Sequence, residues 1–202
     1  MSLTAQMKSN IMMAEKFILE AFLNSGKIVT FGNGGSMADA MHMAAELEKK
    51  FQTSRPLPEN FIELLKNVPL GSTLISNLEV GFPVRVLGLN AALTTAIEND
   101  FIERDMAFAQ EAYSILTPSD VVVCFSTSGN SRNCRLAVSV AKAMGCRIIL
   151  ITGPDGGEIS KISDVTINCK GDSVAEIQNE HRIVYHKICA DIEEFFFGNP
   201  KH

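Results

Sequence analysis

Hydrophobic and polar positions along the chain follow two periods, one typical of amphipathic helices and one of buried strands. Near the start, apolar side chains recur every three or four residues and predict a helix over about residues 3–24. They are Ile11, Met12, Phe17, Ile18, Phe22 and Leu23. The run from Val121 to Phe125 is instead apolar at every position, as are strands of a parallel sheet that is covered on both faces.

Strand patterns and helix patterns alternate through the rest of the chain. Strands are predicted at residues 27–31, 84–89, 120–125, 147–152 and 165–169. Helices are predicted at residues 37–51, 91–97, 106–116, 132–144 and 174–197. Because helices separate the strands, we expect an α/β fold, a three-layer αβα sandwich with a mostly parallel, flavodoxin-like sheet. The 202 residues fit one domain, residues 1–202.

Residues 54–83 fit this alternation less well. The stretch is rich in proline and glycine and shows only a short helical patch at residues 62–66. Long loops inside compact domains commonly serve as lids or binding elements. We therefore predict no firm structure for this stretch.

Composition and charge exclude several classes of protein. A net charge of −5 gives no general attraction for nucleic-acid phosphates, so no nucleic-acid partner is expected. No apolar run approaches the roughly 20 residues of a membrane span, and the first residues lack the apolar core of a signal peptide. The five cysteines are scattered without a CxxC pair, which is typical of reduced thiols. These features predict a cytoplasmic protein with no membrane partner.

The segment Ser126–Ser131 (STSGNS) presents hydroxyl groups at the start of a predicted helix. The hydroxyls belong to Ser126, Thr127, Ser128 and Ser131. Ligands of parallel sheets bind outside the carboxyl ends of the strands, and a helix N-terminus there stabilises a dianion. The segment has no lysine, unlike a nucleotide P-loop, so a single phosphoryl group is favoured over a triphosphate. The alternative interpretation is an N-capping loop without a ligand.

A second glycine-rich turn, Gly32–Ser36, follows the first predicted strand. Its glycines permit positive φ and close approach of the backbone to a ligand. The turn does not match GxGxxG, because Met37 stands at the third glycine position, so no nucleotide cofactor is expected. A tight turn beside a small polar ligand is the better account.

Polar and ionisable side chains are paired at helical spacing on two predicted helices. His42 and Glu46 are four residues apart, and Gln178 and His186 are eight apart, so each pair shares one helix face. A histidine with a carboxylate one turn on can bind a metal or form an acid–base pair. Spacing alone favours the plainer interpretation, a surface His42–Glu46 pair and a buried, structural His186.

Four segments together resemble the sugar isomerase (SIS) domain and, within it, the phosphoheptose isomerases. They are GNGGSMADAMHMAAEL from Gly32, STSGNS from Ser126, ITGPDGG from Ile151 and EIQNEHRIVYH from Glu176. STSGNS alone is typical of the whole SIS superfamily, whereas the first and last segments in combination are much more specific. The resemblance covers nearly the whole chain apart from about residues 57–84.

The resemblance implies an activity and a set of site residues. Family members convert sedoheptulose 7-phosphate to D-glycero-D-manno-heptose 7-phosphate through an enediol and assemble as homotetramers with sites between subunits. The phosphate would contact Ser126, Thr127, Ser128 and Ser131. The sugar would contact Asn33, Gly34, Ser36, Asn99, Asp100 and Gln178. One zinc ion per site would be held by His42, Glu46, Gln178 and His186, and Glu46 and His186 also match the catalytic acid–base positions.

Three features depart from the family pattern. Residues 57–84 are an expected insertion, Ala175 replaces an aspartate that often stands three residues before the glutamine, and Met37 replaces a polar residue. An isomerase of another sugar phosphate is therefore an open alternative. So is a non-catalytic SIS protein that associates with a replication initiator, although that relative lacks equivalents of Glu46 and His186.

Overall fold

The computed structural model of the chain describes residues 4–198, so the expected helix start at residue 3 lies outside the described residues. The helices are α1 (Ala5–Leu23), α2 (Gly35–Glu48), α3 (Glu59–Leu65), α4 (Gly71–Asn77), α5 (Ala91–Asp100), α6 (Ala107–Ile115), α7 (Arg132–Ala143), α8 (Gly157–Ser160) and α9 (Val174–Phe197). The strands are β1 (Ile28–Gly32), β2 (Val84–Val86), β3 (Val121–Ser126), β4 (Arg147–Thr152) and β5 (Val165–Asn168). No helix within residues 4–198 combines the length and the apolar character that a membrane span needs.

The strands form a parallel sheet in the order β2-β1-β3-β4-β5. Strands β1 and β3 are buried at every position, which explains why their sequences are almost wholly apolar. The register places Gly32 beside Phe125 and Ser126 beside Thr152, so the carboxyl ends of β1, β3 and β4 lie side by side. This is the flavodoxin-like order, with its switch point between β1 and β3. The predicted fold class is confirmed.

Helices cover both faces of the sheet and enclose two hydrophobic cores. On one face, α1, α2 and α9 pack over strand side chains such as Ile28 and Val123. On the other face, α6 and α7 pack over Val122 and Leu150. Consecutive strand residues face opposite cores because side chains alternate along a strand. The three predicted layers follow directly from this arrangement.

Helices α2 and α9 lie side by side on the first face. Asp39 contacts His181, and His42 contacts Tyr185, so contacts follow the same order along both helices. The two helices are therefore parallel to each other. This pairing brings the ionisable residues of the two helices into one groove.

A buried ion pair fixes the C-terminal end of this helix pair. Arg55 and Glu193 are both 0% exposed, and Nε and Oε1 are 2.7 Å apart. Glu193 also accepts hydrogen bonds from the backbone N–H groups of residues 51–53. Burial alone would raise the pKa of Glu193, but these hydrogen bonds hold it below its ordinary value. The chain after α2 is thereby tied to the last turns of α9.

Residues 54–83 contain more regular structure than the sequence pattern indicates. Helix α3 begins at Glu59, before the predicted patch at 62–66, and α4 follows it. Pro58 immediately precedes α3, and its restricted φ near −61° favours the earlier start of the helix. Leu70 precedes α4 with φ +63°, a conformation that is uncommon for leucine and that the sequence therefore does not predict. The prediction of no firm structure is wrong, and the status of residues 57–84 as an insertion stays a prediction.

Candidate active site

The segment 126–131 after β3 takes its shape from the turn after β4. Gly129 has φ +63°, and a Cβ there would lie 1.9 Å from the carbonyl oxygen of Gly156. The amide of Gly153 donates to the carbonyl of Thr127, and the amide of Ile159 donates to the carbonyl of Gly129, each at 3.0 Å. Only glycine fits at position 129 beside Gly156, so this conformation depends both on the glycine of STSGNS and on contact with the turn after β4.

The segment holds polar groups that suit an anion. Ser126 is 4% exposed, and within residues 4–198 its Oγ has no hydrogen-bond partner. Ser131 is the N-cap of α7 but makes no side-chain capping bond. The N-terminus of this 12-residue helix favours negative charge. A buried hydroxyl without a partner is costly, and a ligand that accepts a hydrogen bond from Ser126 would remove that cost.

The turn after β1 lies beside this segment, at the carboxyl edge of the sheet. Gly34 is the N-cap of α2 with φ +55°, and no atoms lie within 4 Å of the position of an added Cβ. Asn33 and Asn133 exchange two hydrogen bonds of 2.8 Å, which join the turn to the first turn of α7. Ser36 is buried just inside α2. The predicted sugar contacts of this turn therefore lie next to the start of α7.

A cavity of about 310 Å³ opens beside the turn. Its lining includes Asn33 and Gly34 of the turn, together with Glu98 and Asp105. Asp105 has φ +66°, an uncommon backbone conformation for a residue other than glycine. Glu98 and Asp105 were not predicted, because their approach to the turn depends on how α5 and the following loop pack.

Asn99 and Asp100 lie at the exposed end of α5. The Asn99 side-chain amide donates to Asp100 Oδ1 at 2.8 Å. Neither residue lines the 310 Å³ cavity, whereas their neighbour Glu98 does. The structure thus does not bring these two predicted sugar contacts to the turn within one chain.

A second cluster lies on the α2–α9 helix pair, and we call His42, Glu46 and His186 the trio. His42 Nε2 is 3.0 Å from Glu46 Oε1. The rings of His42 and His186 are 5.1 Å apart and meet edge to face. Three residues that the sequence places on two distant helices therefore share one site.

Gln178 occupies a different level of the same helix pair. Its side-chain amide packs against Gly35, where an added Cβ would lie 2.3 Å from Nε2. Gly35 precedes His42 by two turns of α2, a rise of about 10 Å. The structure places Gln178 beside the glycine-rich turn and does not bring it to the trio.

Two further contacts join α2 to α9 near the trio, and their residues were not predicted. Tyr185 Oη lies 2.7 Å from His42 Nδ1, and His181 Nδ1 lies 3.4 Å from Asp39 Oδ2. Burial raises the pKa of Tyr185 to about 12, so the phenol stays protonated at neutral pH. The one signal in the sequence is that Tyr185 follows His181 by four residues and so shares its helix face.

His186 is partly buried and has a free ring nitrogen. Its buried Nε2 has no hydrogen-bond partner in the part of the chain that the structure describes. Burial lowers the pKa of His186 below its ordinary value of 6.5, and His42 adds to the lowering while Glu46 opposes it. A neutral imidazole with a free nitrogen can bind a metal or transfer a proton.

Comparison with known proteins places this chain in a family. Residues 1–81 and residues 100–178 match models of the SIS domain. Over 89% of its length the chain is 36% identical to a probable phosphoheptose isomerase of Thermoplasma acidophilum, of which the match covers 85%. It is 32% identical to the phosphoheptose isomerase of Geotalea daltonii over 99% of this chain and 91% of that protein. The chain belongs to the phosphoheptose isomerase family.

Solved structures agree with membership of the phosphoheptose isomerase family. The fold matches the phosphoheptose isomerase of Neisseria gonorrhoeae with a TM-score of 0.73 and 30% identity, over 92% of this chain and 86% of that one. A phosphoheptose isomerase from Francisella tularensis, 24% identical, shares the fold with a TM-score of 0.75 over the same shares of the two chains. The resemblance carried by the four sequence segments is confirmed.

The trio of this phosphoheptose isomerase family member has a donor set that suits zinc. Two imidazoles and one carboxylate are common zinc ligands, and His186 Nε2 is a buried nitrogen without a partner among the described residues. His42 Nε2 is instead bonded to Glu46. Within residues 4–198 no three His, Cys, Asp or Glu side chains are already arranged as a metal cage. A metal would therefore replace the His42–Glu46 hydrogen bond.

Proposed function

We propose that this chain is an aldose–ketose isomerase that converts sedoheptulose 7-phosphate to D-glycero-D-manno-heptose 7-phosphate. The observation that carries the proposal is the trio, in which Glu46, His42 and His186 converge on the scaffold of the phosphoheptose isomerase family. Moving a carbonyl between C1 and C2 requires groups that transfer protons at those two atoms. The trio supplies a carboxylate and imidazoles for that purpose.

The segment 126–131 is proposed to bind the phosphate. Its hydroxyls and the N–H groups at the start of α7 donate to the phosphate oxygens, and the helix dipole favours the dianion. The Ser126 Oγ gains in this way the partner that it lacks in the protein alone. Anchoring the phosphate positions the rest of the substrate and lowers the entropic part of the barrier.

Glu46 and His186 are proposed to transfer the protons. The carbon-bound proton leaves one carbon for the Glu46 carboxylate and returns to the neighbouring carbon, which passes the substrate through an enediol. His186 transfers the hydroxyl proton between the two oxygens, because a neutral imidazole can accept and donate. His42 orients the Glu46 carboxylate through their 3.0 Å hydrogen bond.

We also propose one zinc ion per site. His42, Glu46 and His186 would hold it, and Gln178 remains the fourth predicted ligand, although its amide lies two helical turns away against Gly35. When bound, zinc polarises the carbonyl and stabilises the negative charge of the enediolate. Metal analysis after purification without chelators tests this point, with one zinc per chain as the expected result.

A homotetramer with sites between subunits would account for the exposed apolar side chains and for the separation of the phosphate segment from the trio. Large apolar side chains are exposed on α1 and α9, among them Met12, Met13, Ile183 and Phe195. Exposed apolar patches of this kind often mark protein interfaces. The phosphate segment and the trio lie at different levels of one chain, so a neighbouring subunit would complete the site.

The five buried free thiols support a place in the reducing cytoplasm.

The deciding experiment is incubation with sedoheptulose 7-phosphate, with formation of the aldose followed by NMR. Turnover of this substrate in preference to five- and six-carbon sugar phosphates is the expected result. Turnover of another sugar phosphate alone would favour the alternative substrate that Ala175 leaves open. Absence of turnover on all of them, with binding to a replication initiator, would favour the non-catalytic alternative.

Mixing two inactive variants tests whether sites lie between subunits. Ser126→Ala/Ser128→Ala weakens the phosphate segment, and Glu46→Gln removes the proton carrier. If each site takes these two parts from different subunits, mixed tetramers contain some sites with both parts intact and regain part of the activity. Mixtures that stay as inactive as the separate variants contradict the proposed arrangement.

A further inference from the structure

Tyr185 contacts the trio but has no role in the proposed mechanism so far. It is 1% exposed, and its hydroxyl lies 2.7 Å from His42 Nδ1. Its ring also meets the rings of His42, His186 and Phe125 edge to face. The hydrogen bond and these ring contacts together fix the orientation of the His42 imidazole.

The position of the hydrogen on His42 follows from its two partners. An ionised carboxylate only accepts hydrogen bonds, so His42 Nε2, 3.0 Å from Glu46, carries the hydrogen. In the neutral ring Nδ1 is then the acceptor, and Tyr185 donates to it. When Nε2 must present its lone pair instead, the hydrogen moves to Nδ1 and the Tyr185 oxygen accepts it.

We propose that Tyr185 is a positioning residue for His42: its hydroxyl holds the ring in place and turns to pair with either tautomer. The inference rests on the proposed function, because that function gives each tautomer a use. With hydrogen on Nε2, His42 orients Glu46; with a free Nε2, it can bind a metal. A hydroxyl suits both states because it donates and accepts, whereas a carboxylate in its place would only accept.

A purely structural role is the competing explanation for Tyr185. Phenylalanine would keep the buried ring and its packing and would lose only the hydroxyl. Tyr185→Phe therefore separates the two roles. Tyr113→Phe is the matched control, because Tyr113 is the other tyrosine of the chain and is 67% exposed on α6, on the opposite face of the sheet.

The first measurement is ¹⁵N NMR of the histidine rings in the metal-free, full-length protein at neutral pH, with His42 assigned through the variant His42→Asn. The unchanged chain should show His42 as the Nε2–H tautomer. Tyr185→Phe should shift the Nδ1 signal of His42, because that nitrogen loses its hydrogen-bond donor while Glu46 still holds the Nε2–H. Tyr113→Phe should match the unchanged chain. A His42 signal that Tyr185→Phe leaves unaltered overturns the proposal, whether or not the protein isomerises a sugar.

The second measurement is zinc affinity, by competition with a chromogenic chelator. Outer partners of metal-binding histidines typically contribute about 10- to 100-fold to affinity, so Tyr185→Phe should bind zinc weaker by that factor. Thermal stability should hardly change, and Tyr113→Phe should bind zinc normally. Equal zinc affinity in Tyr185→Phe contradicts the proposal. If the unchanged chain binds no zinc, the metal part of the proposed function fails, and the NMR measurement alone decides the role of Tyr185.

A reciprocal experiment covers the case in which Tyr185→Phe does not fold. Growth with 3-fluorotyrosine gives two ¹⁹F signals, one for each tyrosine. His42→Asn should shift the signal of Tyr185, because the hydroxyl loses its imidazole partner, and should leave that of Tyr113 in place. A Tyr185 signal that does not move overturns the inference.

Discussion

The phosphate segment 126–131 and the trio are built in different ways. The segment is held by backbone contacts with the turn after β4, and the groups proposed to bind the phosphate are neighbouring hydroxyl and N–H groups. The trio is held by side-chain pairs between α2 and α9, two helices far apart in the sequence. Phosphate binding should therefore tolerate small changes in helix packing that proton transfer does not. The predictions below test this contrast, from the largest expected effect to the smallest.

Glu46→Gln should separate the two parts most sharply. Loss of a positioned general acid–base group lowers kcat by about 10²- to 10⁴-fold, while the phosphate segment still binds the substrate. NMR turnover and calorimetric binding of the sugar phosphate measure the two effects. Glu48→Gln, an exposed change on the same helix, should behave like the unchanged chain. Undiminished turnover in Glu46→Gln would exclude the proposed proton carrier.

Arg55→Met should loosen the helix pair and leave the phosphate segment intact. Removing one partner of a buried ion pair costs about 3–5 kcal/mol of unfolding free energy, because Glu193 keeps an uncompensated charge. Urea unfolding measures the loss. Lys187→Met breaks an exposed ion pair on α9, the helix that carries Glu193, and should cost less than about 1 kcal/mol. Equal losses in the two variants would show that the buried pair does not fix α2 to α9.

Ser126→Ala should weaken binding without weakening the fold. Its Oγ has no hydrogen-bond partner between residues 4 and 198, so its removal should cost little stability. A hydrogen bond to a charged group contributes about 1.5–3 kcal/mol, so KM should rise by about tenfold or more while kcat changes little. Ser139→Ala, an exposed change on α7, is the control. A large drop in melting temperature with unchanged KM would assign Ser126 to the fold instead.

The pH dependence of stability should reflect the ion pair and the hydrogen bonds of the buried Glu193 carboxylate. Because the folded-state pKa of Glu193 lies below its ordinary value of 4.5, the unfolded chain binds the proton first as pH falls. The stabilisation is thus present above about pH 4.5 and is lost as pH falls from there through the folded pKa. Urea midpoints between pH 6 and pH 3 measure it. Glu193→Gln should be less stable at neutral pH and should lose part of this pH dependence.

Local sequence signals set the element boundaries that the sequence predicts well. Helix α9 begins at Val174 because Ser173 and Glu176 form a capping box, a signal contained within four residues. Helix α2 ends at Glu48 rather than at the predicted residue 51. The backbone N–H groups of residues 51–53 bind the Glu193 carboxylate instead of continuing the helix. Tertiary contacts decide that boundary.

The same distinction holds within the candidate site. The hydroxyls of 126–131 could be read from the sequence because they stand on neighbouring residues, whereas the contact of Gly129 with Gly156 could not. The helical spacing of His42 and Glu46 also predicted their shared face. Residue spacing could not show that Tyr185 contacts His42 or that Gln178 lies against Gly35. Both contacts depend on the position of α9 along α2 in the folded chain.

By itself, the sequence determined the layers, the strand-and-helix order, the glycine turns and the chemical groups available for a sugar phosphate. These depend on backbone preference and on periodicity, which act over a few residues. Only the tertiary structure decided that His42, Glu46 and His186 meet, that Tyr185 supports them and that Arg55 closes the helix pair. Each of those contacts joins distant parts of the chain, and packing of whole helices on the sheet fixes their register.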